Sequence, residues 1–209
     1  MYSPCTTDAR LSRDERSRLA RDLREDFGAR LLNQLRNAPD PDTAEQARTL
    51  LTELRALLDS LDLRRFSLRE CVQEWHASCL ELLDPYSVME LEWRHPARWR
   101  NASLSPVLRC YPGLILREFL RNAMTHSVPR HVQIELHQRS GHLQVCARHD
   151  GLTRPPDQWR ASRGLRLAAL RATDLRGSLQ WRSTRPGQLR MDLQFPLPYA
   201  QSHAKRTCR

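Results

Sequence analysis

The segment 114–127, LILREFLRNAMTHS, constrains the fold most, because its apolar residues recur at helical spacing beside a row of polar residues. Glu118, Asn122 and His126 are four residues apart, and side chains four apart are neighbours on a helix. A carboxylate, a carboxamide and an imidazole in line suit a site that orients a water and holds Mg²⁺, which takes oxygen ligands and shares them with phosphates. The alternative is an amphipathic helix whose polar face is only solvated.

The residues that follow this helix show strand and helix patterns in a fixed order. Segments 132–138 and 143–151 alternate like two strands joined at Ser140-Gly141. A helical pattern, RGLRLAALRATDLRGSL, and a second alternating pair, LQWRS and LRMDLQFPLP, come after them. The order is therefore a helix ending in N-A-x-x-H-S, a hairpin, D-G, G-L, a helix, L-x-G-x-L and a hairpin.

This order of motifs, which extends up to Pro198, resembles the ATP-binding domain of two-component sensor histidine kinases, which has the Bergerat fold. The resemblance implies an α/β sandwich with a mixed sheet and helices on one face, and a site for Mg-ATP. It also implies roles for the polar row. Glu118 falls on the acid that positions the water or substrate, Asn122 on the magnesium ligand, and His126 on the histidine that ends the family's box.

The family's adenine box, D-x-G-x-G, is altered in this chain. Aligned on Gly151, the sequence reads His149-Asp150-Gly151-Leu152-Thr153, so His149 takes the place of the aspartate that accepts from the adenine amino group. Thr153 takes the place of the second glycine. A neutral histidine accepts such a bond in one tautomer only. Losing the carboxylate contact weakens binding by about 1.5–3 kcal/mol, so we expect an impaired nucleotide pocket.

The family's next box, G-x-G-L, presents backbone N–H groups to phosphates at a helix N-terminus. Here it reads Ser162-Arg163-Gly164-Leu165, with one glycine lost. Gly164 and Leu165 are the retained positions, and Arg163 can still meet a phosphate as a charged fork.

The N-terminal part of the chain reads as two helices. Residues 12–36 carry a leucine-rich stripe that ends at the sequence NAPDP, since two nearby prolines cannot occupy a helix interior. Thr43 and Gln46 form a predicted capping box for the second helix. Such a hairpin leaves a wide apolar face, which pairing with a second copy in a four-helix bundle would bury. The alternative is packing against the chain's own second domain.

The first helix also resembles the phosphoacceptor helix of the sensor kinases that partner helix-turn-helix response regulators. The matching stretch is ERSRLARDLREDFGARLL. The phosphoacceptor histidine falls on Arg24, while the neighbouring acid, the expected general base, is kept as Glu25. A guanidinium stays protonated and offers no lone pair for attack on a γ-phosphate. We therefore expect no autophosphorylation at this position.

The region 64–113 is predicted in outline. Ser67 and Glu70 indicate a capped helix, VMELEWRH alternates like a strand, and PARWRNASLSP reads as a loop. The helix that carries Glu118 is predicted to begin near Pro112. Three tryptophans of this region are interpreted as packing residues: Trp75, Trp93 and Trp99.

Composition excludes several classes of protein. The net charge is +10, but nearly all of the positive charge is arginine dispersed among acids, and Lys205 is the only lysine, so nucleic-acid binding is not favoured. No apolar run is long enough for a transmembrane helix, and the N-terminus lacks the apolar core of a signal peptide, so we expect a cytoplasmic protein. Six cysteines without a C-x-x-C pair indicate neither a zinc site nor a disulfide framework.

Together these observations predict an α+β protein: an N-terminal helical hairpin that forms a dimeric four-helix bundle (1–64), a Bergerat-type α/β sandwich (65–199) and a basic tail (200–209). The predicted function is that of a degenerate histidine kinase, a homodimer that binds a response regulator or a kinase. The alternative is an active ATP-dependent protein kinase of the anti-sigma type, or an ATPase, that uses Glu118 and Asn122. A third hypothesis, nucleic-acid binding, would give salt-dependent association with generic DNA.

Overall fold

The computed structural model describes residues 13–61, 65–83, 88–100, 102–159, 162–185 and 188–198. The chain divides into two compact units, Met1–Arg64 and Arg65–Arg209. The predicted basic tail, 200–209, lies outside the described residues, as do Cys5 and Cys208.

The described residues of the first unit form two helices that pack against each other, α1 (Arg13–Arg36) and α2 (Pro41–Leu61). The helix predicted over 12–36 is thus confirmed for the described residues. The predicted Thr43–Gln46 capping box is wrong, because α2 already begins at Pro41. Asp40 is the cap: its two carboxylate oxygens accept from the Thr43 amide at 2.8 Å and from the Thr43 hydroxyl at 2.7 Å. Proline suits the first helical position, where its missing N–H would have no partner anyway.

The described residues of the second unit form three α-helices, one short 3₁₀ helix (Pro156–Gln158) and two sheets. The α-helices and strands in chain order are β1 (Phe66–Ser67), α3 (Leu68–Leu82), β2 (Glu90–Arg94), β3 (Ser103–Leu104), α4 (Pro106–His126), β4 (His131–Arg139), β5 (His142–His149), α5 (Arg163–Asp174), β6 (Ser178–Arg185) and β7 (Gln188–Pro196). The larger sheet has the strand order β2-β4-β5-β7-β6, in which only β2 and β4 are parallel, so it is mixed.

The core of this unit lies between one face of the larger sheet and the three helices. Buried and less buried residues alternate along β4, β5 and β7, so each strand turns one face inward. The helices supply the other half of the same hydrophobic cluster. Its largest fully buried side chains include Phe119, Leu120, Ile134, Met191 and Phe195. The α+β architecture with a mixed sheet, expected from the sequence, is confirmed.

The turn between β4 and β5 lies at Ser140-Gly141, as predicted. Both residues have positive φ, 44° and 81°. Positive φ at both central residues is what a two-residue type I′ hairpin turn requires. The turn fixes the register in which Arg139 faces His142, and with it the position of His149 at the far end of β5.

Two boundaries before the site differ from the sequence-based predictions. Helix α4 begins at Pro106, with Ser105 as its cap, so the start predicted near Pro112 is wrong and that proline lies inside the helix. The helix starts there because the Ser105 hydroxyl accepts from the Leu108 amide at 3.3 Å and Pro106 suits the first helical position. Trp75 packs against this part of the helix: its indole N–H donates to the Arg109 carbonyl at 2.5 Å, and a Cβ on Gly113 would lie 2.9 Å from its ring. The stretch predicted as a loop also contains β3, which pairs with β1.

The capping box predicted for α3 is confirmed. The Ser67 hydroxyl oxygen accepts from the Glu70 amide at 3.2 Å, and the Glu70 carboxylate accepts from the Ser67 amide at 3.0 Å. Trp75 is 2 % exposed, in agreement with its predicted packing role. Among the helices that the structure describes, none is long and apolar enough to cross a membrane.

The cap of α2 gives a direct stability test. Asp40→Ala removes both bonds to Thr43 and should lower the free energy of unfolding by about 1 kcal/mol. Gln46→Ala is the matched control and should stay within about 0.5 kcal/mol of the wild type. Urea unfolding followed by circular dichroism at one protein concentration measures both. An equal loss in Gln46→Ala would restore the capping box predicted from the sequence.

Candidate nucleotide site

Helix α4 brings together two of the three residues of the predicted polar row. The Asn122 side-chain amide donates to Glu118 Oε1 at 3.0 Å, and both residues are partly buried. His126, the last residue of α4, is exposed, and its imidazole makes no hydrogen bond or ion pair with any residue that the structure describes. Of the three groups predicted to lie in line, the Glu118 carboxylate and the Asn122 carboxamide are therefore paired, whereas the His126 imidazole lies apart at the end of the helix.

The start of α5 is packed directly onto Glu118. Ser162 caps this helix, and its hydroxyl oxygen accepts from the Leu165 amide at 3.2 Å. Gly164, in the first turn, lies so close to Glu118 that a Cβ at this position would overlap the carboxylate. Two motifs that are more than forty residues apart in the sequence thus meet at one point, and the absence of a side chain at Gly164 makes the contact possible.

His149 ends β5 in a buried position, with 4 % of its surface exposed. Its Nδ1 accepts a hydrogen bond from the Gly151 amide at 3.2 Å. Its Nε2 is buried and has no hydrogen-bond partner among the described residues. Burial lowers the pKa of His149 below its ordinary value of 6.5, although the nearby Asp150 charge acts in the opposite direction. The imidazole is therefore neutral near pH 7.

Asp150 does not share the pocket of its neighbour. It is exposed, and its Oδ1 accepts from the amides of Arg130 and His131, both at 2.9 Å. Burial opposes its ionisation, but these two hydrogen bonds and the His131 charge together lower the pKa of Asp150. This carboxylate therefore holds the start of β4 against the end of β5.

Gly151 is close to the backbone that follows α4. A Cβ on Gly151 would meet the Ser127 carbonyl and lie 2.9 Å from the Pro129 nitrogen. Only glycine allows this approach without a backbone shift. The approach keeps the Gly151 amide in place to donate to His149. Thr153, at the position of the box's second glycine, is partly buried, and its hydroxyl donates to the Arg154 carbonyl at 3.4 Å.

Sequence reasoning did not single out a row of aromatic rings that begins beside His149. Phe119 contacts the imidazole with ring centroids 5.7 Å apart and stacks on Trp181 at 6.2 Å. Trp159 packs edge-on against Trp181 at 5.5 Å, and its indole N–H donates to the Arg154 carbonyl at 2.7 Å. The signal was present in the sequence, since Trp159 is the only aromatic residue in the polar segment TRPPDQWRAS.

Arg24, which the resemblance places at the phosphoacceptor position, belongs to the first unit. It lies within α1, and Glu25 beside it is exposed. In the described part of the chain, no group of three or more histidine, cysteine, aspartate and glutamate residues is placed to hold a metal ion. The four described cysteines, Cys71, Cys79, Cys110 and Cys146, are free thiols.

Comparison with solved structures shows the fold of histidine kinase ATP-binding domains. The blue-light activated histidine kinase of Erythrobacter litoralis EL346 matches 85 % of this chain with a TM-score of 0.56 at 19 % identity. The chain spans 63 % of the length of that structure. The histidine kinase AdeS of Acinetobacter baumannii matches 83 % of the chain and 96 % of its own length, with a TM-score of 0.53 at 15 % identity.

The ATP-binding domain of PrrB from Mycobacterium tuberculosis matches 65 % of this chain and 97 % of its own length, with a TM-score of 0.51 at 14 % identity. Identities this low establish a shared fold and nothing further. No family model matches the sequence, and no curated protein matches it. The three structural matches confirm the fold that was expected from the order of motifs.

The contact between Gly164 and Glu118 predicts different effects for two substitutions of the same kind. Gly164→Ala must displace the end of the Glu118 side chain and its hydrogen bond with Asn122, which costs about 0.5–1.5 kcal/mol and offsets the gain from replacing a helical glycine. Gly28→Ala, in α1, meets no atom within 4 Å, so it should stabilise its helix by about 0.4–1 kcal/mol. Thermal and urea unfolding of both variants measure the difference.

A double-mutant cycle shows whether the carboxylate is the cause. In a Glu118→Ala background the Gly164→Ala substitution should lose most of its cost. If the cost is unchanged there, or if Gly164→Ala stabilises like Gly28→Ala, the α5–Glu118 contact is not as described.

Proposed function

We propose that this chain is a degenerate histidine kinase of two-component signalling: a cytoplasmic homodimer that does not phosphorylate itself and acts by binding a response regulator or a kinase. One observation carries the proposal, namely the buried His149 at the place where the related fold uses an aspartate to anchor adenine. The shared fold allows the two positions to be compared, and the side chain found there in this chain is a histidine instead of an aspartate.

Adenine does not fit the group that His149 offers. The Gly151 N–H points at Nδ1, so the ring proton of the neutral imidazole is on Nε2. An N–H at this position faces the adenine amino group, which is also a donor, and two donors cannot bond. A buried polar group without its partner costs about 1–3 kcal/mol. We therefore expect ATP to bind weakly, and we assign no chemical step to it.

In contrast, the retained pair of Glu118 and Asn122 offers an oxygen ligand that suits magnesium. The Asn122 side-chain nitrogen is bonded to Glu118, which leaves the Asn122 carbonyl oxygen available to a hard cation. Asn122 is the residue that would hold Mg²⁺, with Glu118 orienting its amide. This retained pair is the observation that favours the second candidate function, an active ATP-dependent kinase or ATPase of the same fold.

Arg24 excludes the usual phosphoacceptor chemistry. A histidine nitrogen attacks a phosphorus atom with its lone pair, whereas the guanidinium of arginine stays protonated and has none to give. The acid next to it, Glu25, is exposed, and beside a guanidinium that stays protonated a general base has no nucleophile to activate. We infer that the first unit serves in assembly and in contacts with a partner. The net charge of +10 favours partners with acidic surfaces.

The first unit has the apolar surface that an assembly needs. Three large apolar side chains of α1 and α2 are at least two-fifths exposed: Phe27, Leu32 and Leu50. Pairing with a second copy would cover them in a four-helix bundle. We propose this homodimer as the form in which the protein acts.

The test of the function is a phosphate-transfer assay combined with titration calorimetry. The wild-type protein should acquire no label from γ-labelled ATP and give weak heats with Mg-ATP. The His149→Asp variant should bind Mg-ATP about ten- to a hundredfold more tightly, because it restores a carboxylate acceptor. An Arg24→His, His149→Asp double variant should become labelled if the scaffold is intact.

Two outcomes would contradict this proposal. Labelling of the wild type that is abolished by mutating one histidine would establish an autokinase. Tight, saturable Mg-ATP binding that is lost in Asn122→Ala would favour the ATP-dependent enzyme. A pull-down with response regulators encoded nearby then identifies the partner.

The proposed dimer is tested by sedimentation. Leu32→Glu and Leu50→Glu each place a charge among the apolar side chains of the first unit and should shift the protein toward the monomer by tenfold or more in the dissociation constant. Leu170→Glu, on α5 and 61 % exposed, is the matched control and should leave the dimer intact. A wild-type protein that sediments as a monomer at micromolar concentration would contradict the proposed dimer.

A further inference from the structure

Three arginines that are separated in the sequence lie side by side on the larger sheet. Arg148 of β5 is directly opposite Arg190 of β7, and Arg190 is directly opposite Arg182 of β6. Because neighbouring strands are about 4.8 Å apart, these side chains extend across the sheet in a line about 10 Å long. We refer to the three residues as the arginine row.

The arginine row lies on the face of the sheet that is turned away from the core. Along β5 and β7 its members alternate with buried residues. The side chains of Arg148, Arg182 and Arg190 are 55 %, 61 % and 43 % exposed. The described helices of this unit contribute to the core on the opposite face. The three guanidiniums are therefore accessible to a partner.

The arrangement has an unfavourable electrostatic component, because like charges directly opposite each other on neighbouring strands repel. Asp192 of β7 offsets part of this repulsion. Its carboxylate is 2.7 Å from the Arg190 guanidinium and 4.0 Å from that of Arg182. One carboxylate therefore serves two members of the row.

The second carboxylate near the row is also shared. Glu135 of β4 lies 3.8 Å from Arg148 and 3.5 Å from Arg94. Arg148 and Arg182 also donate to glutamine side chains, but these neutral acceptors do not cancel charge. The ion pairs of the described residues thus provide two shared carboxylates for three guanidiniums, and the row keeps an excess of positive charge.

The chemistry that completes the row is that of carboxylates on a partner, since a guanidinium binds a carboxylate through two parallel hydrogen bonds. Gln180 and Gln194, exposed on the same face, can donate to and accept from that partner. Nucleic acid fits less well. The large aromatic residues of these strands, Trp181 and Phe195, belong to the core face, so the described outer face has none of them on which a base could stack.

We propose that the outer face of β5, β7 and β6, centred on the arginine row, binds an acidic segment of a partner protein. The proposal rests on the proposed partner-binding function and deepens it, because it assigns the surface and the chemistry of the partner. Carboxylates of the partner bind Arg148 and Arg182, whose internal carboxylates are 3.8 Å and 4.0 Å away. Arg190 is already paired at 2.7 Å.

The experiment measures binding of a fluorescein-labelled oligoglutamate peptide to the full-length chain by fluorescence anisotropy. The Arg148→Gln, Arg182→Gln double variant removes two charges and keeps hydrogen-bonding side chains, so the dissociation constant should rise about tenfold or more. The matched control, Arg130→Gln with Arg139→Gln, removes two charges from exposed arginines outside the row. It should change the dissociation constant by less than about threefold.

Unfolding of the same variants shows whether the row is a structural feature of the sheet. Loss of the charges at Arg148 and Arg182 relieves their repulsion with Arg190, so the urea midpoint of the row variant should stay at or above that of the wild type. A lower midpoint would mean that the row stabilises the sheet, and it would overturn the proposal.

Three binding results would also overturn it: no binding of the peptide by the wild type, an equal loss of affinity in the two double variants, or tighter row-dependent binding of a single-stranded oligothymidylate of the same charge. An equal loss would show attraction by net charge alone, and the last result would assign the surface to nucleic acid. Each of these results leaves the absence of autophosphorylation untouched, whereas labelling by ATP would overturn the degenerate-kinase proposal alone.

Discussion

The burial of α4 against the sheet is the constraint on which the second unit depends. Leu116, Phe119 and Leu120 of this helix are at most 1 % exposed, and on the order of 1.5–3 kcal/mol favours the burial of each such side chain. The same turns carry Glu118 and Asn122. Because the apolar stripe fixes the rotation of the helix, it also fixes where the carboxylate and the carboxamide point. Core and site are therefore two faces of one element.

Much of the fold is predictable because its signals are local. The alternation of 132–138 and 143–151, with Ser140-Gly141 between them, is enough to predict the hairpin, since the turn chemistry and the period agree. The Ser67–Glu70 box is predictable for the same reason. Agreement between propensity, pattern and turn residues is what makes such elements readable from the sequence.

The errors have a different physical origin, since each depends on a tertiary contact or on a competing local group. Helix α4 begins six residues before Pro112 because Ser105 caps it, with its hydroxyl accepting from the Leu108 amide at 3.3 Å. Asp40 replaces the predicted box because its carboxylate reaches both polar groups of Thr43. Among the site residues, Glu118 and Asn122 pair as their spacing predicts, whereas the Glu118–Gly164 contact joins distant segments that no periodicity connects.

The Gly151–His149 hydrogen bond has a consequence for how molecules of this kind are compared. The chemical character of the imidazole is decided by a main-chain amide, which is the same in every residue except proline. Two chains with an identical histidine could therefore carry opposite recognition, depending only on the path of the neighbouring backbone. A sequence alignment would score the two histidines as identical, and only the three-dimensional structures would show the difference.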